Sequence, residues 1–206
     1  MHSIVSKVRR ALAGELTGRI LDAGCGDDLF GPYLRRSGNT VIGLDLDAAA
    51  LRGIPGTRVV ASCADMPFAD GYFDAVWACA IIEHVAADAL PEMVRVTRDG
   101  GRIVAVTPNR RSPWDGLKRL VGLNTWYENA GHVRLYSTEE LAGFGEVHGE
   151  VVFLPLPWAR RLFWRHPNVG HTLILDVRVS PELRRRVKRR FPAVFARPFA
   201  PAARVC

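Results

Sequence analysis

The chain has no stretch approaching the ~18 uninterrupted apolar residues that a membrane-crossing helix needs. Its opening residues, MHSIVSKVRRALAGEL, lack the apolar run and small-residue cleavage site of a secretory leader, so none is expected. Cysteine is sparse as well. The four at positions 25, 63, 79 and 206 form no CxxC pair and match neither a zinc site nor a small disulfide framework. They are expected to be reduced thiols in a cytoplasmic protein. Acidic residues are outnumbered, 21 against 28 Lys and Arg, and the net charge of +7 is concentrated in the run Pro181 to Arg190. Such a run can meet phosphates or an anionic membrane surface, or form a solvated helix face or loose tail. Both readings stay open.

What is present suits one α/β domain. At 206 residues and 48% hydrophobic, the chain can bury a core without staples. Residues 1–180 read as a single domain and 181–206 as a basic extension. Apolar, β-rich runs are expected to be strands at Arg19–Ala23, Thr40–Leu44, Arg58–Ala61, Phe73–Cys79, Gly101–Thr107, Val147–Leu154 and Leu173–Val179. Several lack polar alternation, as strands buried on both faces of a parallel sheet do. Helices are expected at Ser3–Ala13, Phe30–Ser37, Ala48–Arg52, Ala87–Thr97 and Thr138–Phe144, the last opened by a Ser137…Glu140 capping box. Alternation of this kind predicts a Rossmann-like, doubly wound, mostly parallel seven-stranded sheet with helices on both faces. Two long connections, 108–136 and 155–170, are candidates for substrate-side insertions.

The first strand runs into Asp22-Ala23-Gly24-Cys25-Gly26, where glycines let the backbone turn sharply and approach a ligand. The second strand ends at Asp45-Leu46-Asp47, placing an acid to accept hydrogen bonds from ribose hydroxyls. A dinucleotide fingerprint would need a further glycine where Leu29 stands, so a nicotinamide cofactor is not favoured.

Several blocks in register carry a resemblance. They are Ile20 to Gly26, Gly43-Leu44-Asp45, Cys63 to Phe68 followed by Gly71 to Asp74, Glu83-His84-Val85, Arg95 to Gly101, Thr107-Pro108-Asn109, and His132 to Ser137. Together they resemble the class I S-adenosylmethionine-dependent methyltransferases, in the small-molecule "type 11" branch. The resemblance implies S-adenosyl-L-methionine as cofactor. It implies that Asp22 and Gly24 shape the pocket for the methionine portion, that Asp45 takes the ribose hydroxyls, that Asp65 and Met66 meet the adenine, that Ala80 lines the path to the sulfonium, and that Gly26 and Leu46 also bind the cofactor. Asp28, preceded by Asp27, stands where the family often has a third glycine. These acids must face away from the cofactor's carboxylate. Some quinone-pathway relatives use a Glu three residues before the Glu-His pair as a metal ligand. Here that position is Ala80, and no metal site is expected.

Methyl transfer needs alignment and, for some acceptors, a base. His84 and His132 are the candidate catalytic residues, because imidazole titrates near neutrality. Glu83 is expected to make structural hydrogen bonds, and His148, His166 and His171 to be structural or surface residues. The Trp158 to Arg165 segment suits either packing beneath a lid or contact with a membrane interface or an apolar acceptor. The expected activity is methyl transfer to a small molecule, with a hydroxyl oxygen as the leading acceptor. A nucleic-acid substrate bound by the basic run and a non-catalytic binding protein are the alternatives.

Overall fold

The structure, a computed structural model, describes residues 6–85, 88–120, 122, 131–150 and 164–197. Seven strands form one sheet: β1 (Arg19–Ala23), β2 (Thr40–Asp45), β3 (Thr57–Val60), β4 (Phe73–Cys79), β5 (Thr97–Pro108), β6 (Glu146–Glu150) and β7 (Thr172–Arg178). Their spatial order is β3-β2-β1-β4-β5-β7-β6. The first five are parallel, and β7 runs antiparallel to both β5 and β6. The expected doubly wound, mostly parallel architecture holds. The order reverses between β1 and β4, and in open α/β sheets ligands bind at the carboxyl ends of the strands flanking such a reversal.

The central strands are apolar because both their faces are covered. Ile20, Val41, Ala75, Trp77, Val104, Val106 and Ile174 face one layer, with α1 (Lys7–Gly14) and α2 (Gly31–Leu34) against it. Leu21, Leu44, Val76, Ala78, Ile103 and Ala105 face the other, built on α3 (Ala89–Val96). Among the described residues four more helices follow α2 and α3: α4 (Pro113–Leu120), α5 (Thr138–Ala142), α6 (Pro181–Arg190) and α7 (Pro192–Phe195). Among the described residues no helix is long and apolar enough to cross a membrane.

Two polar tethers position loops that matter below. Glu92 and Arg95 of α3 are buried together. Arg95 binds both Glu92 oxygens and donates to the carbonyls of Met66 and Phe68, while Glu92 Oε1 accepts from the Met66 amide at 2.8 Å. This pins the loop after β3. In the opposite layer the buried Arg9 guanidinium meets Glu150 Oε2 at 2.8 Å and Thr172 Oγ1 at 3.3 Å, tying α1 to β6 and β7.

Several expectations need correction. Residues 48–52 form turns rather than a helix. Asp47 Oδ1 accepts from the Ala49 amide at 2.7 Å, an Asx-type turn that competes with helix initiation. The Phe30–Ser37 stretch is a one-turn helix, Gly31–Leu34, followed by a 3-10 turn at Arg36–Gly38. The strand expected at Val147–Leu154 is β6, Glu146–Glu150, and residues 151–154 lie outside the described residues. The capping box at Ser137 forms as expected, with both reciprocal hydrogen bonds. The basic run is a docked helix rather than a loose tail. In α6, Leu183 and Val187 enter the main core, and Arg184 binds Asp99 and the carbonyls of Arg95 and Thr97. Arg185, Lys188 and Arg189 remain exposed.

Candidate active site

The glycine turn after β1 is built against the end of β2. Gly24 and Cys25 donate their amides to the Leu44 carbonyl at 2.7 and 3.1 Å, and Gly26 donates to Asp45 Oδ2 at 2.9 Å. Asp45 Oδ1 accepts from the Asp47 amide at 2.9 Å, so the carboxylate is oriented before any ligand arrives. Gly24 has φ +70°, and a Cβ there would lie 2.4 Å from Ile81 Cγ1. Both conformation and space demand glycine at that position.

Between this turn and the end of β4 lies a cavity of about 200 Å³, lined by Asp22, Gly24, Gly26, Asp27, Phe30 and Ala80 among others. Ala80, the residue after β4, has φ +56° and is held there by its amide hydrogen bond to the Val106 carbonyl at 2.8 Å. A non-glycine residue in the left-handed region costs energy, and such strain concentrates at functional sites. Asp22 is only 4% exposed. Burial, reinforced by the charges of Asp28 and Asp45 and opposed by Arg35, raises its carboxyl to about 7.

The two neighbouring acids behave differently. Asp28, with φ +65°, turns away and forms a two-pronged pair with Arg35, in which Nη1 lies 3.0 Å from Oδ1. Its charge is thereby matched by a guanidinium. Asp27 is exposed and remains on the cavity wall.

Beyond Asp45, the large apolar side chain of Leu46 is 72% exposed. Asp65 lies on the loop after β3 and accepts from Arg197 Nη1 at 3.1 Å, the same guanidinium that reaches the Ala64 carbonyl. Met66 is buried in the main core.

The other wall follows β4. A 3-10 turn, Ile82–His84, buries Glu83, whose Oε2 accepts from Thr107 Oγ1 at 2.9 Å. The Glu83 carbonyl accepts the amides of Val133 and Arg134 at 2.9 and 3.0 Å. That contact brings His132 to His84, with ring centroids 4.8 Å apart. His84 Nδ1 is 3.3 Å from the Gly131 carbonyl. Burial raises the Glu83 carboxyl above the ordinary range; burial and then the neighbouring His84 lower His132. The buried thiols of Cys63 and Cys79 are both pushed up to about 12 by burial, which keeps them protonated.

Residues 21–105, which carry both the glycine turn and Ala80, match a family model described as "Methyltransferase domain". Over that stretch the chain is similar to a methyltransferase domain. Among curated relatives, it is 30% identical over 151 residues to tocopherol O-methyltransferase of Arabidopsis thaliana, covering 60% of this chain and 43% of that one. It is 36% identical over 119 residues to demethylmenaquinone methyltransferase of Beutenbergia cavernae, covering 54% and 49%. The chain thus spans less than half the length of either relative. Solved structures share the fold. A SAM-dependent methyltransferase from Archaeoglobus fulgidus aligns with TM-score 0.57 at 17% identity, covering 82% of this chain and 89% of that one. A Burkholderia thailandensis 1,6-didemethyltoxoflavin-N1-methyltransferase, solved with 1,6-didemethyltoxoflavin and S-adenosylhomocysteine, aligns with TM-score 0.54 at 18% identity, covering 84% and 77%.

Asp22, Gly24, Gly26 and Ala80 gather at one cavity, and Asp45 accepts from the amide of its Gly26 rim. Asp65 is not among the residues lining this cavity and is paired with Arg197. The two long connections meet: Trp114 Nε1 donates to the Val169 carbonyl at 2.7 Å, and Asn109 Nδ2 to that of Gly170 at 2.8 Å. Trp164 stacks on His148 at 4.0 Å between ring centroids, a packing role. Trp158 lies outside the described residues. Sequence reasoning missed Arg35 as part of the site, and its expectation that Asp27 and Asp28 both face away holds for Asp28 alone, since Asp27 lines the cavity. An acid pair followed seven residues later by an arginine was the available signal for Arg35.

Proposed function

We propose that this domain binds S-adenosyl-L-methionine and transfers its methyl group to a small-molecule acceptor, at a hydroxyl oxygen. The observation that carries the reading is the cavity between the glycine turn and Ala80, at the switch point of the sheet. Its residues fit the group. A Cβ at Gly24 is excluded, acids Asp22 and Asp27 line a space suited to a methionine ammonium group, and Asp28 is neutralised by Arg35. Asp45 offers its remaining lone pairs to ribose hydroxyls, and the exposed Leu46 gives the nucleoside an apolar surface to cover. Asp65 and the loop edge at Met66 would meet the adenine.

When bound, S-adenosyl-L-methionine supplies an already activated methyl group. The chain's own residues do the aligning. Gly24 and Gly26 bring the backbone close, and Ala80 and Ile81 shape the path out of the cavity. His84, on the turn that follows Ala80, and His132, packed against it, would take the acceptor's proton. The O-methyltransferases among the relatives support oxygen as acceptor atom.

Calorimetric titration with S-adenosyl-L-methionine tests the cofactor reading. Binding by the native chain that is weakened in Asp45→Ala is expected, and no detectable binding refutes it. A labelled-methyl screen of hydroxylated metabolites then tests the acceptor class; incorporation confined to RNA or to amines would overturn it.

A further inference from the structure

Glu83, His84 and His132 each present one oxygen or nitrogen, and these three atoms lie within 4.8 Å of one another. The arrangement is built from two distant segments. The 3-10 turn after β4 supplies Glu83 and His84, and the returning connection supplies His132. His132 is fixed from both sides, since Gly131 accepts from or abuts His84 Nδ1 and the Val133 amide donates to the Glu83 carbonyl.

The carboxylate carries the second observation. Glu83 is 1% exposed, and its Oε2 is held by the Thr107 hydroxyl. Its Oε1 is buried with no hydrogen-bond partner. A buried carboxylate oxygen left without a donor calls for a cation or a proton. The His84 and His132 imidazoles, each with a nitrogen within 4.8 Å of a Glu83 oxygen, offer nitrogen ligands beside it. The hydroxyl on Oε2 is the kind of outer hydrogen bond that orients a ligating carboxylate.

We propose that Glu83, His84 and His132 form a divalent transition-metal site of the zinc class, with two nitrogen ligands and one oxygen. Two imidazoles select such an ion over magnesium or calcium, which prefer all-oxygen shells. Three protein ligands leave a coordination position open, and the exposed His84 gives the ion a route in from solvent. On the proposed methyl-transfer reading, the open position takes the acceptor's hydroxyl oxygen. Coordination lowers that hydroxyl's pKa, its proton passes to water, and the oxyanion attacks the methyl carbon as the carbon–sulfur bond breaks. With the ion present, the two imidazoles act as ligands and not as bases.

The test uses the full untagged chain, stripped of metal by a chelator and titrated with cobalt(II) alone. One equivalent bound per chain, with the intense visible bands of a tetrahedral site that zinc then bleaches, is expected. Thr107→Val is expected to weaken cobalt affinity about 10–100-fold. His84→Ala and His132→Ala should weaken it further, and His166→Ala should leave it unchanged. Thermal melting of each variant checks that the fold is retained, and titration with S-adenosyl-L-methionine should be unaltered in all four. Failure to bind a stoichiometric ion overturns the proposal. So does binding undiminished in both His84→Ala and His132→Ala. Absence of S-adenosyl-L-methionine binding alone strikes the cofactor reading and leaves the metal site standing.

Discussion

Replacing Asp22 by asparagine should make the protein more stable and a poorer binder of its cofactor. Asp22 is buried at the floor of the cavity, and burial with Asp28 and Asp45 nearby moves its carboxyl from an ordinary 3.8 to about 7. At 1.36 kcal/mol per pH unit, the ionised form costs the fold ~4 kcal/mol relative to the unfolded chain. The sign follows from proton binding. The folded state holds the proton more tightly, so this contribution to stability is fully present below pH 3.8 and is lost as pH rises to about 7. Roughly 1.5 kcal/mol has gone by pH 5 and all of it by pH 8.5. Asparagine is isosteric and never ionises. Urea unfolding of both proteins from pH 5 to pH 8.5 should therefore show the Asp22→Asn advantage growing by ~3 kcal/mol and levelling off above neutrality. Comparing the two proteins cancels the other titrating groups. A stability difference that does not change over that range would refute the reasoning, because Asp22 would then not be titrating near neutrality. In parallel, calorimetry with S-adenosyl-L-methionine should show weaker binding by the variant. A carboxylate kept at such cost is maintained for a ligand, the usual exchange of stability for function.

Other outcomes follow from the same geometry. Asp45→Ala removes the acceptor of the Gly26 and Asp47 amides as well as a ribose partner, so affinity for S-adenosyl-L-methionine should fall about 10–100-fold by calorimetry. Gly24→Ala forces a Cβ to 2.4 Å from Ile81 Cγ1 at φ +70°; cofactor titration should lose binding, and thermal melting should show a destabilised fold. Leu183→Ala empties a position in the main core, and urea unfolding should show a loss of about 2–3 kcal/mol, whereas exposed Arg185→Ala should change little. Equal, negligible effects of the two would mean that α6 does not dock.

The central sheet was open to reading because burial on both faces leaves an unmistakable trace. Arg19–Ala23 and Phe73–Cys79 are strands with the expected bounds. Short-range chemistry was legible too, as at the Ser137 capping box. Where side chains override propensity, the reading failed. The alanines after Asp47 suggested a helix, but the Asp47 carboxylate captures the first free amide. In α6 the density of arginine hid the signal of Leu183 and Val187 four residues apart, with Ser180 capping the start. At the site, Asp22, Gly24 and Asp45 could be found because they follow strands directly. The pairing of Asp28 with Arg35 depends on a left-handed turn, and the meeting of His132 with Glu83 depends on a connection doubling back. Neither leaves a periodic mark in the chain.

The position of β7 between β5 and β6 has a consequence for how the protein is made. A ribosome releases β6 before the strand that must separate it from the rest of the sheet, and until Thr172–Arg178 emerges β5 ends in an open row of amides and carbonyls. The nascent chain therefore waits with an apolar edge unpaired, the condition under which strands join the wrong partner. Arg9 is synthesised early but finds Glu150 and Thr172 only at the end, so its guanidinium locks into place when the last strand has threaded in. Chains interrupted before Thr172 should accumulate as aggregates rather than as smaller folded domains.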